Sequence, residues 1–143
     1  MSLRKLTIDD YPEVLRLWLN TPGMGMRNQD DSRESIDKYL KRNPETNFVA
    51  EDNGRIVGVI LSGHDGRRGY IYHMAVTTLA RRQGLGTALL DAATQALKKE
   101  GIEKVALVAF TTNGTGNSFW ESAGFRERTD LVYRDKFINE EGS

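Results

Sequence analysis

Apolar and polar residues follow one another along this chain in short strand-like and helix-like patterns. Leu3, Leu6 and Ile8 predict a first strand, after which a helix starts at Asp9 or Asp10. That helix tolerates Pro12 in its first turn and turns Val14, Leu15, Trp18 and Leu19 to one face, until Thr21-Pro22-Gly23 stops it. Met24 to Asp31 has no period. Ser32 is placed to cap a second helix, with Ile36, Tyr39 and Leu40 inward and Asn43-Pro44 at its end. Strands at Asn47 to Glu51 and Arg55 to Ser62 flank Asp52-Asn53-Gly54, where Asn-Gly supplies the positive φ angles of a tight hairpin.

A second turn at Asp65-Gly66 leads to a fourth strand, Tyr70 to Val76. A glycine-containing turn, Arg81-Arg82-Gln83-Gly84-Leu85-Gly86, opens a helix from Thr87 to Lys99 that is expected to bury Leu85, Ala88, Leu89, Ala92 and Ala96. Val105 to Phe110 is continuously apolar, which predicts a strand in the middle of a sheet. A short helix from Thr115 to Ala123 ends at Gly124, Leu131 to Ile138 predicts a last strand, and Asn139 to Ser143 predicts a frayed tail. Repeats, linkers and low-complexity tracts are absent.

A chain of 143 residues suits one domain, since domains cluster near roughly 100 to 150 residues. Lys plus Arg equal Asp plus Glu at 20 each, so no overall field draws the protein to nucleic acid or an anionic membrane. The absence of cysteine excludes thiolate nucleophiles, disulfides and Cys-ligated zinc. With His64 and His73 the only histidines, no metal site is expected. Met1 to Thr7 lacks a signal-peptide apolar region, and no apolar run approaches the roughly 20 residues that span a bilayer. The expectation is a cytoplasmic protein.

The strand, glycine turn and helix between Tyr70 and Lys99 carry the chemistry. That order sets main-chain N–H groups and the positive end of a helix dipole where a diphosphate can sit. Gln83, Gly84, Leu85, Gly86 and Thr87 can each donate an N–H, and side chains at the glycine positions would hinder close approach. A dinucleotide fold needs a third glycine where this chain has Leu89, and a P-loop needs a following Gly-Lys-Ser/Thr. Neither is present.

Arg81-x-x-Gly84-x-Gly86 after a strand, Asn113 downstream, an aromatic at Trp120 and the Ala123-Gly124-Phe125 ending together resemble the GNAT superfamily of acyl-CoA-dependent N-acetyltransferases. The likeness spans nearly the whole chain, and Gly63 to Gly69 resembles the YpeA-type branch of small bacterial members. It implies an α/β (α+β) fold: a mixed, mostly antiparallel sheet flanked by helices on both faces, its fourth and fifth strands splayed to admit acetyl-CoA. Residues 1–143 would form a single N-acetyltransferase domain that moves an acetyl group directly from acetyl-CoA to a primary amine, either a small molecule or a protein or peptide N-terminus. A non-catalytic acyl-CoA-binding module is the alternative. Dimers are common in the family, though nothing in this sequence demands one.

Carried over residue by residue, the likeness assigns the main chain of Met74, Ala75 and Val76 to the pantetheine arm and the thioester, with the Val76 N–H as oxyanion donor. Arg81, Arg82, Gln83, Gly84, Leu85, Gly86 and Thr87 fall to the diphosphate, Arg81 being the arginine the family pattern selects. Asn113 falls to the pantetheine arm. Trp120 is the departure: the family carries a tyrosine there that protonates the leaving thiolate, whereas an indole N–H donates a hydrogen bond without acting as an acid. Trp120 is therefore expected beside the thioester, with solvent protonating the sulfur.

A base must deprotonate the incoming ammonium. His73 is the candidate, with Glu51 and His64 near neighbouring strand ends. Strict alternation would put Tyr70, Tyr72 and Met74 on one face and Ile71 and His73 on the other unless a bulge resets the register. The Met24-Gly25-Met26-Arg27 loop falls where the family's variable acceptor-binding segment begins.

Overall fold

Asn53 and Gly54 take φ angles of 53° and 76° and fold β2 (Phe48–Asp52) back onto β3 (Arg55–His64), as a tight hairpin turn requires. The computed structural model describes residues 1–139, apart from the side chains of Asn28, Leu79 and Arg82. The tail expected to fray thus lies, beyond Asn139, outside the described residues. β1 (Ser2–Lys5), β4 (Gly69–Val76) and β5 (Val105–Ala106) complete a sheet of order β1-β2-β3-β4-β5. Every junction is antiparallel except β4 with β5, which is parallel.

Alternation along the central strands divides the core between two helical layers. Val49, Val59, Leu61 and Ala75 meet Val14, Leu17, Trp18, Ile36 and Leu40 from α1 (Tyr11–Leu19) and α3 (Arg33–Arg42). Ala50, Ile60, Ile71 and Val76 meet Leu85, Leu89, Leu90 and Ala93 from α4 (Leu85–Lys99). α5 (Gly114–Ser122) adds half-buried Phe119 and Trp120 to that second layer. The expected mixed, mostly antiparallel sheet with helices on both faces is the fold.

Ser32 caps α3 as expected, its hydroxyl accepting from the Ser35 N–H at 3.2 Å. A short helix, α2 (Asn28–Asp31), occupies the stretch in which no period is visible. The interior of α4 is rotated from the expected face: Leu90, Ala93 and Leu97 are buried with Leu85 and Leu89, while Ala88, Ala92 and Ala96 are half-buried flanks. Leucine removes more apolar area from water than alanine, so the leucine ridge sets the rotation.

The C-terminal third departs further. Instead of a mid-sheet strand over Val105 to Phe110, β5 stops after 2 residues, and Val108 and Phe110 are exposed. Leu131 to Ile138 forms no strand; Leu131, Val132, Tyr133, Phe137 and Ile138 are all exposed. β-forming residues become a strand only where an adjacent edge takes up their main-chain hydrogen bonds. An edge that ends at Ala106 offers Leu131 to Ile138 nothing to pair with.

Candidate active site

β4 is paired along its length on one side and barely on the other. Toward β3 it pairs from Gly69 opposite His64 to Val76 opposite Gly58, with one register shift between, whereas toward β5 only Gly69 and Tyr70 are paired. From Ile71 onward one edge of β4 is open. The Thr77 N–H donates to the Val57 carbonyl at 2.9 Å, which makes Thr77 and Val57 a hydrogen-bonded pair. Because such pairs alternate in an antiparallel ladder, the N–H and C=O groups of Val76 and Met74 point away from β3, into the open edge. Ala75 turns its main chain to β3 and its methyl toward α1 and α3.

A 3-10 turn, Thr78–Gln83, carries the chain from β4 to α4. Gly84 then adopts a left-handed conformation, φ 73° and ψ 16°, and no side chain caps the helix it opens. The first helical bond runs from the Ala88 N–H to the Gly84 carbonyl at 3.0 Å, which leaves the N–H groups of Leu85, Gly86 and Thr87 without helical partners. A Cβ at Gly84 would meet nothing within 4 Å, so this corner faces open space. Thr87 and Gln83 are exposed beside it, while the Leu85 side chain is buried in the core.

This corner adjoins the open edge. The Arg81 Nε donates to the Val76 carbonyl at 3.2 Å, and a Cβ at Gly86 would lie 3.6 Å from the Met74 methyl and 3.2 Å from the Phe119 ring. The Arg82 side chain lies outside the described residues. On the far side, Asn113 caps α5 by accepting from the Gly116 N–H at 3.2 Å, and its side chain would be 3.0 Å from a Cβ at Gly23. A Cβ at Gly25 would be equally close to the Phe110 ring. The loop after α1 therefore lies against the segment that leaves β5. Trp120 packs edge-to-face on Phe119 and Phe125, with ring centroids 5.0 and 5.3 Å away.

A bulge resets β4. Leu61 is opposite His73 and Ser62 opposite Ile71, so Tyr72 has no partner and the strict alternation expected from sequence breaks there. Ile71 and Met74 consequently share the α4 face. His73 turns to the other side, its ring 5.0 Å from that of Trp18 and its Nε2 2.8 Å from Asp31 Oδ1. Asp31 is buried, and its second oxygen accepts the Arg27 N–H at 2.8 Å. The His73 Nδ1 makes no hydrogen bond among the described residues. Asp31 is a candidate site residue that sequence reasoning missed: Asn28 to Asp31 reads as a polar loop, and only the fold brings it to β4.

The other candidate bases are engaged elsewhere. Glu51 is tied to Arg4, and His64 bridges Glu100 at 2.8 Å through Nε2 while its Nδ1 accepts the Gly66 N–H at 2.9 Å. Beyond the bulge, Tyr39, Tyr70 and Tyr72 border a groove of about 710 Å³. Burial raises the pKa of all of these phenols, so they remain protonated hydrogen-bond donors.

No group of His, Cys, Asp and Glu suited to a metal ion occurs among the described residues, and no helix among them is long and apolar enough to cross a membrane. An acetyltransferase of Yersinia pestis is 28% identical to this chain over 138 residues, 96% of each chain. The ribosomal-protein-S18-alanine N-acetyltransferase of Escherichia coli shares the fold with a TM-score of 0.74 at 22% identity, covering 99% of this chain and 86% of that one. The PaiA N-acetyltransferase of Thermoplasma acidophilum, solved in complex with coenzyme A, does so with a TM-score of 0.74 at 18% identity over 86% of this chain and 87% of that one. The model of the acetyltransferase (GNAT) family matches residues 5–125, and this chain belongs to that family.

Proposed function

We propose that the chain is a single acetyltransferase domain that transfers an acetyl group directly from acetyl-CoA to a primary amine. The observation that carries this reading is the open edge of β4, which turns the main-chain groups of Met74 and Val76 outward beside the uncapped start of α4. An extended amide-rich arm can add to such an edge as a strand would. Its diphosphate then meets the N–H groups of Gly84 to Thr87 and the positive helix end. The relative of known structure that binds coenzyme A supports the choice of donor. Arg81, held at the Val76 carbonyl, and Arg82 add positive charge. Asn113 keeps its Nδ2 as a donor for the arm, since its Oδ1 is engaged by Gly116.

The amine nitrogen attacks the thioester carbon, and the Val76 N–H stabilises the oxyanion that forms. The carbon–sulfur bond then breaks and the thiolate takes a proton from solvent. For a thiol of pKa about 8.5 that departure costs about 2 kcal/mol at neutral pH, so Trp120 can stand in the place of an acid. The proton lost by the amine passes to His73: Asp31 accepts from Nε2–H, which leaves the lone pair on Nδ1.

The test is thiol release from acetyl-CoA across small amines and peptide N-termini, with the acetylated product identified by mass. Release with at least one acceptor, lost in His73→Gln, is expected. Coenzyme A binding with no release over the whole panel would overturn the reading in favour of a non-catalytic module.

A further inference from the structure

α3 carries Lys38, Tyr39 and Arg42 at the spacing that stacks side chains along one helix face. This face looks across the groove of about 710 Å³ toward Arg67 and Arg68 of the β3–β4 turn, over a floor made by Tyr70 and Tyr72. Tyr72 packs edge-to-face on Tyr39 at 5.4 Å and lies 4.8 Å from Tyr70. Lys38, Arg42 and Arg68 make no ion pair among the described residues. The opposing charge in the groove is Asp65, held ionised with a pKa of about 2 by the N–H groups of Arg68 and Arg67 and bridged to the Arg67 guanidinium at 3.3 Å. His64, at the rim, is taken up by Glu100. In a chain whose acidic and basic residues balance at 20 each, this is a local surplus of positive charge.

The groove also has a direction. Tyr72, which lines it, is the bulged residue next to His73 and lies two residues past the last β4–β5 pair. The uncapped start of α4 stands at the other end of the same open edge. On the reading given above, on which this inference rests, the acyl donor enters from α4 and the acceptor from the groove.

We propose that the groove binds an acidic peptide segment whose free N-terminus is the acetyl acceptor. Its cations sit at separate points on long exposed stems, and no main-chain nest or buried guanidinium gathers them around one compact dianion, as a phosphate monoester would need. Lys38 and Arg42 are about 6 Å apart along the helix axis, the rise of two extended residues, so they match carboxylates on alternate positions of an extended chain. The tyrosine floor covers apolar side-chain surface, and the exposed Tyr72 offers its phenolic O–H to a peptide carbonyl.

The test compares three labelled peptides with free N-termini, carrying Asp and Glu, Ser, or Lys at the third to fifth positions. Binding is followed by fluorescence anisotropy and transfer by thiol release, in the parent chain and in Lys38→Glu and Arg42→Glu, which change exposed side chains. The acidic peptide is expected to bind about tenfold or more tighter than the neutral one, to weaken with salt, and to lose about tenfold with each reversal, while coenzyme A affinity stays unchanged. The double reversal should prefer the basic peptide. Equal binding of all three peptides, or indifference to the reversals, overturns the proposal, as does displacement of the acidic peptide by a phosphorylated small amine at lower concentration. The two readings fail separately. Charge-dependent binding without thiol release keeps the groove and removes acetyl transfer, whereas release from amines with no charge preference keeps transfer and removes the groove.

Discussion

His73 of β4 and Asp31 at the end of α2 meet with Nε2 and Oδ1 2.8 Å apart, joining the strand that bears the open edge to the segment that follows α1. Removing the imidazole in His73→Gln is expected to lower kcat about 100-fold, and Asp31→Asn about tenfold, at unchanged coenzyme A affinity. Asp31→Asn also weakens the bond to the Arg27 N–H, so thermal stability should fall by about 1 to 3 kcal/mol. Steady-state kinetics well below the melting temperature separate the roles. A lowered melting temperature with kcat intact would make the pair structural only.

Gly84 and Gly86 differ in what they report. Gly84 holds φ 73° in open space, so a β-branched residue there strains the backbone by about 1 to 2 kcal/mol. A side chain there also projects into the open space in front of the helix start, where an anion would sit. Gly84→Val should therefore weaken coenzyme A binding about tenfold or more, and Gly84→Asn, which tolerates the left-handed region, much less. Gly86→Val presses on the Phe119 ring, which is already 3.2 Å from a Cβ there. It should cost about 1 to 3 kcal/mol of stability along with affinity. Calorimetric titration and thermal melts of the three variants check this. Equal affinities for parent and Gly84→Val would count against the helix start as the anion site.

Trp120 closes an aromatic trio with Phe119 and Phe125. Trp120→Ala is expected to destabilise by about 2 to 4 kcal/mol. Trp120→Tyr should keep most of that packing and change kcat by less than about threefold, since unassisted departure of the thiolate is already affordable. A large rise in kcat for Trp120→Tyr would show that a missing acid limits turnover.

Arg4 grips Asp10 with a two-pronged guanidinium, both contacts 2.8 Å. Burial alone would raise the Asp10 pKa, but the Arg4 fork and the Thr7 N–H outweigh it and hold the carboxyl below its usual value. A carboxylate with a depressed folded-state pKa stabilises the fold above about pH 4, and the contribution fades as pH falls through the folded-state value. Because the Arg4 side chain is 40% exposed, about 1 kcal/mol is expected. Asp10→Asn should lower the melting temperature at neutral pH, and its difference from the parent should shrink steadily as pH falls below about 4. A difference that persists undiminished in acid would assign the loss to something other than the ion pair.

What the sequence disclosed and what it hid follow from the range of the interactions involved. The Asn53-Gly54 hairpin and the Ser32 cap are local, and each was legible because its residue types answer a backbone requirement within a few positions. Gly84 was legible for the same reason, although the 3-10 turn before it was not. The bulge at Tyr72 was hidden because it depends on how β3 pairs, and with it the facing of His73. Asp31 carries no local mark and becomes a site residue only when α2 folds over β4. Leu131 to Ile138 shows the opposite failure: its β-forming pattern is clear, but a strand needs an edge, and β5 ends before it can supply one.

Two-dimensional amide NMR during a coenzyme A titration tests the central claim most directly, because that claim concerns particular N–H groups. Val76, Leu85, Gly86 and Thr87 should shift together and saturate with the affinity measured by calorimetry, while Lys38 and Arg42 on α3 stay unmoved. Saturable binding that leaves those amides unmoved and perturbs a different surface would contradict it.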